Sequence, residues 1–384
     1  MAGSVHVRLD EVLAHFSELE DPRSEINRRH PLESVLVILL MAVLAGCGGP
    51  TSVAEWANYK KEWLLKFLPL PNGIPQKDVY RRVLSALKPE AFQACFEGWL
   101  KALRERAAAV TGVTQPILAI DGKTLRRSHG GGLGALHLVS VWASEYGLSL
   151  GQAACEEKSN EITAIPEVLR LVDVSGAIVT IDAMGCQTAI AEEIIEREAD
   201  YVLALKGNQE TLHAGVIEYL DEQIGKDFAG IDARRHTTTE TGHGREETRT
   251  YIQMPAPKSL PGYDRWKGLL TIGVALLQCV RDGKETCEMR YYISSLSMGV
   301  KRFARAVRGH WGIENECHWS LDFTYREDEL RHREGRAREN IAWLNRFTLS
   351  LLKQHRGKQS LVMKRRLCGW SDDFLMQVLV GSRS

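Results

Sequence analysis

The chain has 384 residues, 44% of them hydrophobic and 26% charged, with a formal net charge of zero. That length allows two or three domains and a sizeable core. The charge balance excludes a uniformly basic protein but leaves room for a local basic face.

Eight cysteines, none in a Cys-x-x-Cys pair, read as reduced thiols of a cytosolic protein. The longest apolar run, Val35–Cys47, is too short for a membrane span and fits a buried helix. The amino terminus carries His6, Arg8, Asp10 and Glu11 in place of an apolar signal segment. The expectation is a cytoplasmic protein with no membrane association.

Residues 8 to about 105 read as helical. Leu9, Val12, Leu13 and Phe16 make one apolar face, ended by Asp21-Pro22. A second helix runs from near Pro31 through Leu44 to Gly48-Gly49-Pro50. Ser52 is read as the next N-cap, with Glu55 completing a capping box. Trp56, Tyr59, Trp63 and Phe67 recur at helical spacing and are read as core aromatics. Lys61, Lys66, Lys77, Arg81 and Arg82 are candidate phosphate contacts or a solvated face.

From residue 116 the texture changes. Ile117–Ile120, Leu138–Trp142 and Leu148–Ala153 are short apolar runs, the first two separated by a loop containing Gly130–Gly132. They predict an antiparallel meander, with the first strand ending in a turn at Asp121. A helix over 161–171, a strand over 178–181, a helix over 188–197 and a strand over 201–205 follow. Three meander strands and then alternating helix and strand is the ribonuclease H-like order, an α/β fold with a mixed sheet and flanking helices. In that order the first and fourth strands are neighbours, so Asp121 and Asp182 are expected to meet. Residues 210–295 read as a β-rich insertion. The chain then turns helical again through Glu314, with a last helix from Arg336 to about Leu352 and a tail beyond it. The expected segments are 1–110, 111–209, 210–295, 296–355 and 356–384.

Two carboxylates at the exits of apolar strands suggest a divalent cation between them, and Glu314 is the candidate third. Oxygen ligands suit magnesium, and three carboxylates can serve two ions that stabilise both oxygens of an in-line displacement. A polyanionic substrate then needs flanking cations. Lys123, Arg126, Arg127, Lys206, Arg302, Arg305 and Arg308 supply them, with His310 and His318 beside Glu314.

Five stretches carry a family resemblance: Ala119-Ile-Asp-Gly-Lys123, the KSNEITAIP run over 158–166, Thr180-Ile-Asp-Ala183, Leu205-Lys-Gly-Asn-Gln209, and HWGIEN over 310–315 followed by His318-Trp319. Together they resemble the DDE transposases of the H-repeat-associated insertion-sequence group, over roughly residues 10–355. The resemblance implies a ribonuclease H-like core, a β-rich insertion before the last acidic residue and a helical amino-terminal associated domain, with DNA binding expected of the latter. It implies Mg²⁺-dependent strand cleavage and strand transfer, with Mn²⁺ able to substitute, and Asp121, Asp182 and Glu314 as catalytic and metal-binding residues. The implied partners are double-stranded DNA, the element's inverted repeats and target DNA, with a homodimer on DNA and nucleoid association when active. The superfamily often has arginine four residues before the glutamate and lysine seven after it. Here His310 and Leu321 stand there, the latter followed by Asp322, which leaves the end-binding contacts open.

Bland readings stand beside these. Glu161 is read as a helix cap or surface residue, with an auxiliary acid as the alternative. Trp311 and Trp319 are read as core, with stacking of a base flipped out of the duplex as the alternative, and Met184 and Cys186 as packing. Zinc at His310, Cys317 and His318 is set aside, since no fourth ligand is evident. A domesticated relative that binds DNA without transposing and a ribonuclease H-like nuclease are the competing functions. An actin-like ATPase would need a second Asp-Gly-x-Gly loop, which Asp182–Gly185 matches poorly.

Overall fold

The computed structural model describes residues 3–129, 134–155, 161–242, 244–330 and 334–381. The glycine loop Gly130–Gly132 and the Lys158–Asn160 part of the KSNEITAIP run lie outside them. Among the described residues seven α-helices precede the first strand: α1 Gly3–Ala14, α2 Leu32–Leu44, α3 Pro50–Tyr59, α4 Lys61–Leu64, α5 Lys77–Ala86, α6 Pro89–Ala94 and α7 Glu97–Thr111.

The apolar run becomes α2, and Val35 through Leu44 are each no more than 4% exposed. A helix that is hydrophobic all round must be buried all round. Each such side chain contributes about 1.5–3 kcal/mol of burial. Two local expectations are corrected. α3 starts at Pro50, whose fixed φ suits a first turn, so Gly49 is the N-cap and Ser52 lies inside the turn. The Ser52 hydroxyl accepts from the Gly49 N–H at 3.3 Å. Tyr59 is 92% exposed because the helix breaks at Lys60, which turns the ring out of the aromatic row.

The remaining elements are β1 Ile117–Leu125, β2 Leu136–Ala143, β3 Leu148–Cys155, α8 Glu161–Leu171, β4 Ile178–Ile181, α9 Thr188–Glu196, β5 Asp200–Leu205, α10 Glu210–Gly225, β6 Arg234–Gly242, β7 Arg245–Pro255, β8 Thr271–Arg281 and β9 Lys284–Ser294. After these come α11 Val300–Gly312, α12 Trp319–Phe323, α13 Gly335–Gln354, α14 Leu361–Trp370 and α15 Asp372–Val380. The strands form one nine-stranded mixed sheet in the order β3-β2-β1-β4-β5-β9-β8-β7-β6. β1 is antiparallel to β2 and parallel to β4, and β4 is parallel to β5. Covered on both faces, Ile117–Ile120 and Ile178–Ile181 are continuous buried runs.

The four strands of residues 234–294 extend this same sheet, because Val202 of β5 pairs with Ser294 of β9. The polar Thr-rich stretch forms the hairpin β6–β7, where Thr237 faces Thr250 and Thr239 faces Thr248 with their hydroxyls 3.1 and 3.2 Å apart. Such cross-strand pairs stabilise an exposed sheet edge without an apolar face.

α13 is buried through most of its length, its Phe347 packed against Phe96 and Trp99 of the helical region. It is not the last helix. The tail from residue 361 forms α14 and α15, which bury Cys368, Leu375, Met376, Val378 and Leu379. Arg365 of α14 donates to the Val43 carbonyl at the end of α2.

Candidate active site

The parallel register of β1 and β4 runs from Ile117↔Ile178 to Ile120↔Ile181. The next residue of each chain is Asp121 and Asp182, so the two carboxylates leave the core side by side. β4 stops there, whereas β1 does not. Contrary to the turn expected at Asp121, β1 continues to Leu125, paired with β2 through Leu125↔Leu136. Asp121 is therefore held from one side by β2 and is open on the side that β4 has left.

The loop after β4 is fixed by its own sequence. Asp182 Oδ1 accepts the backbone N–H groups of Met184 and Gly185 at 3.1 and 3.4 Å. Asn208 donates to the Ala183 carbonyl at 2.5 Å and Gln209 to the Cys186 carbonyl at 3.0 Å. The Lys206–Gln209 motif thus clamps the Asp182 loop. Gly185 is required: a Cβ there would stand 2.2 Å from Ile181 Cγ2.

Glu314 arrives on the long helical segment that begins with α11. Phe303, Ala306 and Val307 pack on Ile178, Val202 and Tyr292 and so fix that helix on the sheet. At Ile313–His318 the helix widens into a π-turn, and the Trp319 N–H donates to the Glu314 carbonyl. Such bulges are rare and recur at functional sites. Glu314 and Asp182 line a cleft of about 290 Å³ with Lys206, Arg290, His310 and Trp311.

Electrostatics register the convergence. Burial pushes the Asp121 carboxyl up to about 7, against a hydrogen bond from the Gly122 backbone, with Asp182, Glu314 and Glu161 adding to the rise. Glu314 is also raised, first by burial, with Arg290 opposing and Asp182 adding. Three acids far apart in sequence therefore lie within electrostatic reach of one another. His318 Nδ1 stands 3.5 Å from Asp121 Oδ2, and His310 Nδ1 stands 3.1 Å from the Thr180 hydroxyl. Burial lowers His310 to about 4 and His318 to about 3, and His318 Nε2 finds no hydrogen-bond partner among the described residues.

The expected cations are distributed unevenly. Lys206 lines the cleft, and Arg126 and Arg127 extend into solvent at the end of β1. Lys123 is buried, its ammonium bound to Asp322 at 2.7 Å and Asp328 at 3.3 Å. Arg305 turns to the opposite end of β1, donating to the Gln115 carbonyl and pairing with Glu145. Arg308 pairs with Glu240, and Arg302 donates to Ser297.

Three neighbours stand where the leading sequence readings did not put them. Arg290 of β9 lies over the Trp311 ring at 4.2 Å and faces Glu314. Its distance in sequence and its place on a strand gave no signal. Trp319 is 56% exposed rather than core. Glu161 opens α8 in its first turn, as expected of a helix N-terminus, but it is not a surface residue. It is 5% exposed, with Oε1 at 2.7 Å from His137 Nε2 but off-line for a hydrogen bond. His137 Nδ1 in turn meets the Thr124 hydroxyl at 2.7 Å. All of this lies under Gly122, where a Cβ would stand 2.5 Å from both Glu161 Oε1 and His137 Nε2. Gly122→Ala is expected to cost about 1–3 kcal/mol, as overpacking does. Urea unfolding against the wild type measures it.

The transposase DDE domain model matches residues 113–352, and a model described as DDE_Tnp_1-associated matches residues 13–100. A protein named "Putative transposase YncI" from Escherichia coli O157:H7 is 37% identical over 364 residues, covering 93% of this chain and 91% of its own. "H repeat-associated putative transposase YhhI" from Escherichia coli K12 is 34% identical over 384 residues, covering 98% and 99%. A piggyBac transposase synaptic complex with hairpin DNA is 11% identical at a TM-score of 0.36, covering 98% of this chain and 80% of that one. That likeness is too slight to bear on the fold.

Proposed function

The chain belongs to the DDE transposase family, in its H repeat-associated group, and on that premise we propose that it cleaves and rejoins DNA strands at the ends of its own element in a Mg²⁺-dependent reaction. The observation that carries this reading is geometric: the parallel register of β1 and β4 sets Asp121 beside Asp182, and Asp182 and Glu314 line one cleft, each acid delivered by a different element.

The donor set fits a hard divalent cation. Three carboxylates offer only oxygen, and their mutual repulsion is what such an ion relieves. Among the described residues no three His, Cys, Asp or Glu groups already stand in coordinating positions, so the three would draw together around it. When bound, magnesium or manganese would supply Lewis-acid stabilisation of the attacking and leaving oxygens. The chain's own residues do the rest. Lys206 and Arg290 bear on the phosphates in the cleft. Asn208 and Gln209 hold the Asp182 loop. His318 and His310, standing against Asp121 and the Thr180 hydroxyl, orient Asp121 and the end of β4. Arg126 and Arg127 face the backbone of the approaching duplex. Lys123, Arg305 and Arg308 are expected to reach phosphate only by giving up their present carboxylate partners.

The order β3-β2-β1-β4-β5, with β2 antiparallel and β4 parallel to β1, supports a ribonuclease H-like core over 111–209, completed by 296–355. Residues 210–295 would be its β-rich insertion, and 1–110 a helical region that contacts DNA. Within the remaining segment, 356–384, the helices α14 and α15 pack on α2. Inverted repeats, target DNA and a homodimer on DNA complete the proposal, which places the working protein at the nucleoid. Among the described residues no helix is long and apolar enough to cross a membrane.

The test is a plasmid carrying the gene with its genomic flanks, incubated with the purified protein. Strand breaks at the flanks with Mg²⁺, and none with EDTA, are the expected result. Binding of duplex DNA without breakage under any divalent ion would favour a domesticated binder instead.

A further inference from the structure

Trp319 and Phe323 on α12 are 56% and 62% exposed, yet they stack on each other at 4.7 Å with an interplanar angle of 14°. Two large aromatics held parallel in water are an unusual expense for a surface helix, and the chain leaves their outer faces uncovered. Their place follows from the π-turn. The Trp319 N–H bonds the Glu314 carbonyl five residues back, which puts Trp319 one helical turn beyond the acid. The residue before it, His318, touches Asp121.

The surroundings are ionic. Asp322, between the two rings in sequence, is paired with Lys123, and Asp328 with both Lys123 and Arg126. These carboxylates are therefore already matched. Beyond them Arg126 is 84% and Arg326 74% exposed, and Arg127 is exposed as well. A flat aromatic face beside solvent-exposed guanidinium heads, two of them held only in surface ion pairs with Asp328 and Glu329, one turn from the acidic cleft, matches a strand of nucleic acid. The base stacks and the phosphates lie along the arginines.

We propose that the Trp319–Phe323 pair is a stacking platform for an unpaired nucleobase of the DNA strand lying in the Glu314 cleft. This deepens the strand-cleavage reading and rests on it. Because any base has a π-face, the platform would tolerate sequence and add to affinity for single-stranded or frayed ends in preference to closed duplex.

The probe is an oligonucleotide duplex with a 3′ single-stranded overhang carrying 2-aminopurine, titrated into the full-length protein in EDTA. The wild type should bind it and quench its fluorescence. Trp319→Ala with Phe323→Ala should lose the quenching and roughly ten-fold in overhang affinity, with affinity for blunt duplex unchanged. Trp319→Phe should restore most of both. Exposed positions leave folding intact, which a thermal melt checks. Wild-type quenching and affinity in the double alanine variant would overturn the platform while leaving the cleavage reading standing. So would a dimer in sedimentation that the variant loses without change in DNA affinity, since the pair would then face a second copy. A wild type that binds no DNA at all would overturn the cleavage reading and the platform with it.

Discussion

Asp182→Asn is expected to slow strand cleavage at least about a thousand-fold, equivalent to about 4 kcal/mol of transition-state stabilisation, with the fold and duplex affinity preserved. The substitution is close to isosteric. The amide oxygen of asparagine can still accept the Met184 and Gly185 N–H groups that the aspartate Oδ1 accepts now. The loop would also keep its external ties from Asn208 and Gln209. What is lost is one unit of negative charge beside Asp121 and Glu314. A side chain whose work was only to cap its turn would show no kinetic effect. Rates of nicking at saturating Mg²⁺, with circular dichroism and duplex binding as controls, separate the two roles.

The second large effect is on stability. Glu327 and Arg346 pair at 2.9 Å with both side chains fully buried. Asn345 also donates to Glu327, and the Arg346 guanidinium reaches the Ser140 hydroxyl. Ser140 is the cross-strand partner of Asp121, so this pair stiffens β2 directly behind the candidate acid. Arg346 Nη2 and Glu327 Oε2 find no hydrogen-bond partner among the described residues. Glu327→Gln leaves a guanidinium buried without its counter-charge and is expected to cost about 3–5 kcal/mol. Replacing both, as Glu327→Leu with Arg346→Met, removes the uncompensated charge and should recover most of that loss. Urea unfolding of the single and double variants tests both statements. A single variant as stable as the wild type would mean that water or a shifted side chain already neutralises Arg346.

How far the sequence could be read follows from where its signals are local. Ile117–Ile120 and Ile178–Ile181 announce buried parallel strands because each is an unbroken apolar run, and their register brings the next residues together. The continuation of β1 past Asp121 was not legible. Gly-Lys-Thr-Leu looks like a turn, and only pairing with a strand that ends in Leu125↔Leu136 keeps it extended. The π-turn at Glu314 has no sequence mark. The burial of Glu161 depends on the missing side chain of Gly122, a contact across the sheet that spacing does not encode. Lys123 reads as a free cation until Asp322 and Asp328, some 200 positions away, are seen to hold it. The helices α14 and α15 were hidden because the tail reads as basic through Lys364-Arg365-Arg366. In the fold the Lys364 ammonium caps the end of α13 through the Leu352 and His355 carbonyls.

The central claim is that three carboxylates work as a single centre. The most direct measurement compares Mg²⁺-dependent nicking by Asp121→Asn, by Glu314→Gln and by the two combined. A shared centre predicts that each single variant is about as inactive as the pair, since members of one unit do not add. Nicking at the wild-type rate by Glu314→Gln would contradict it and remove the third acid from the site.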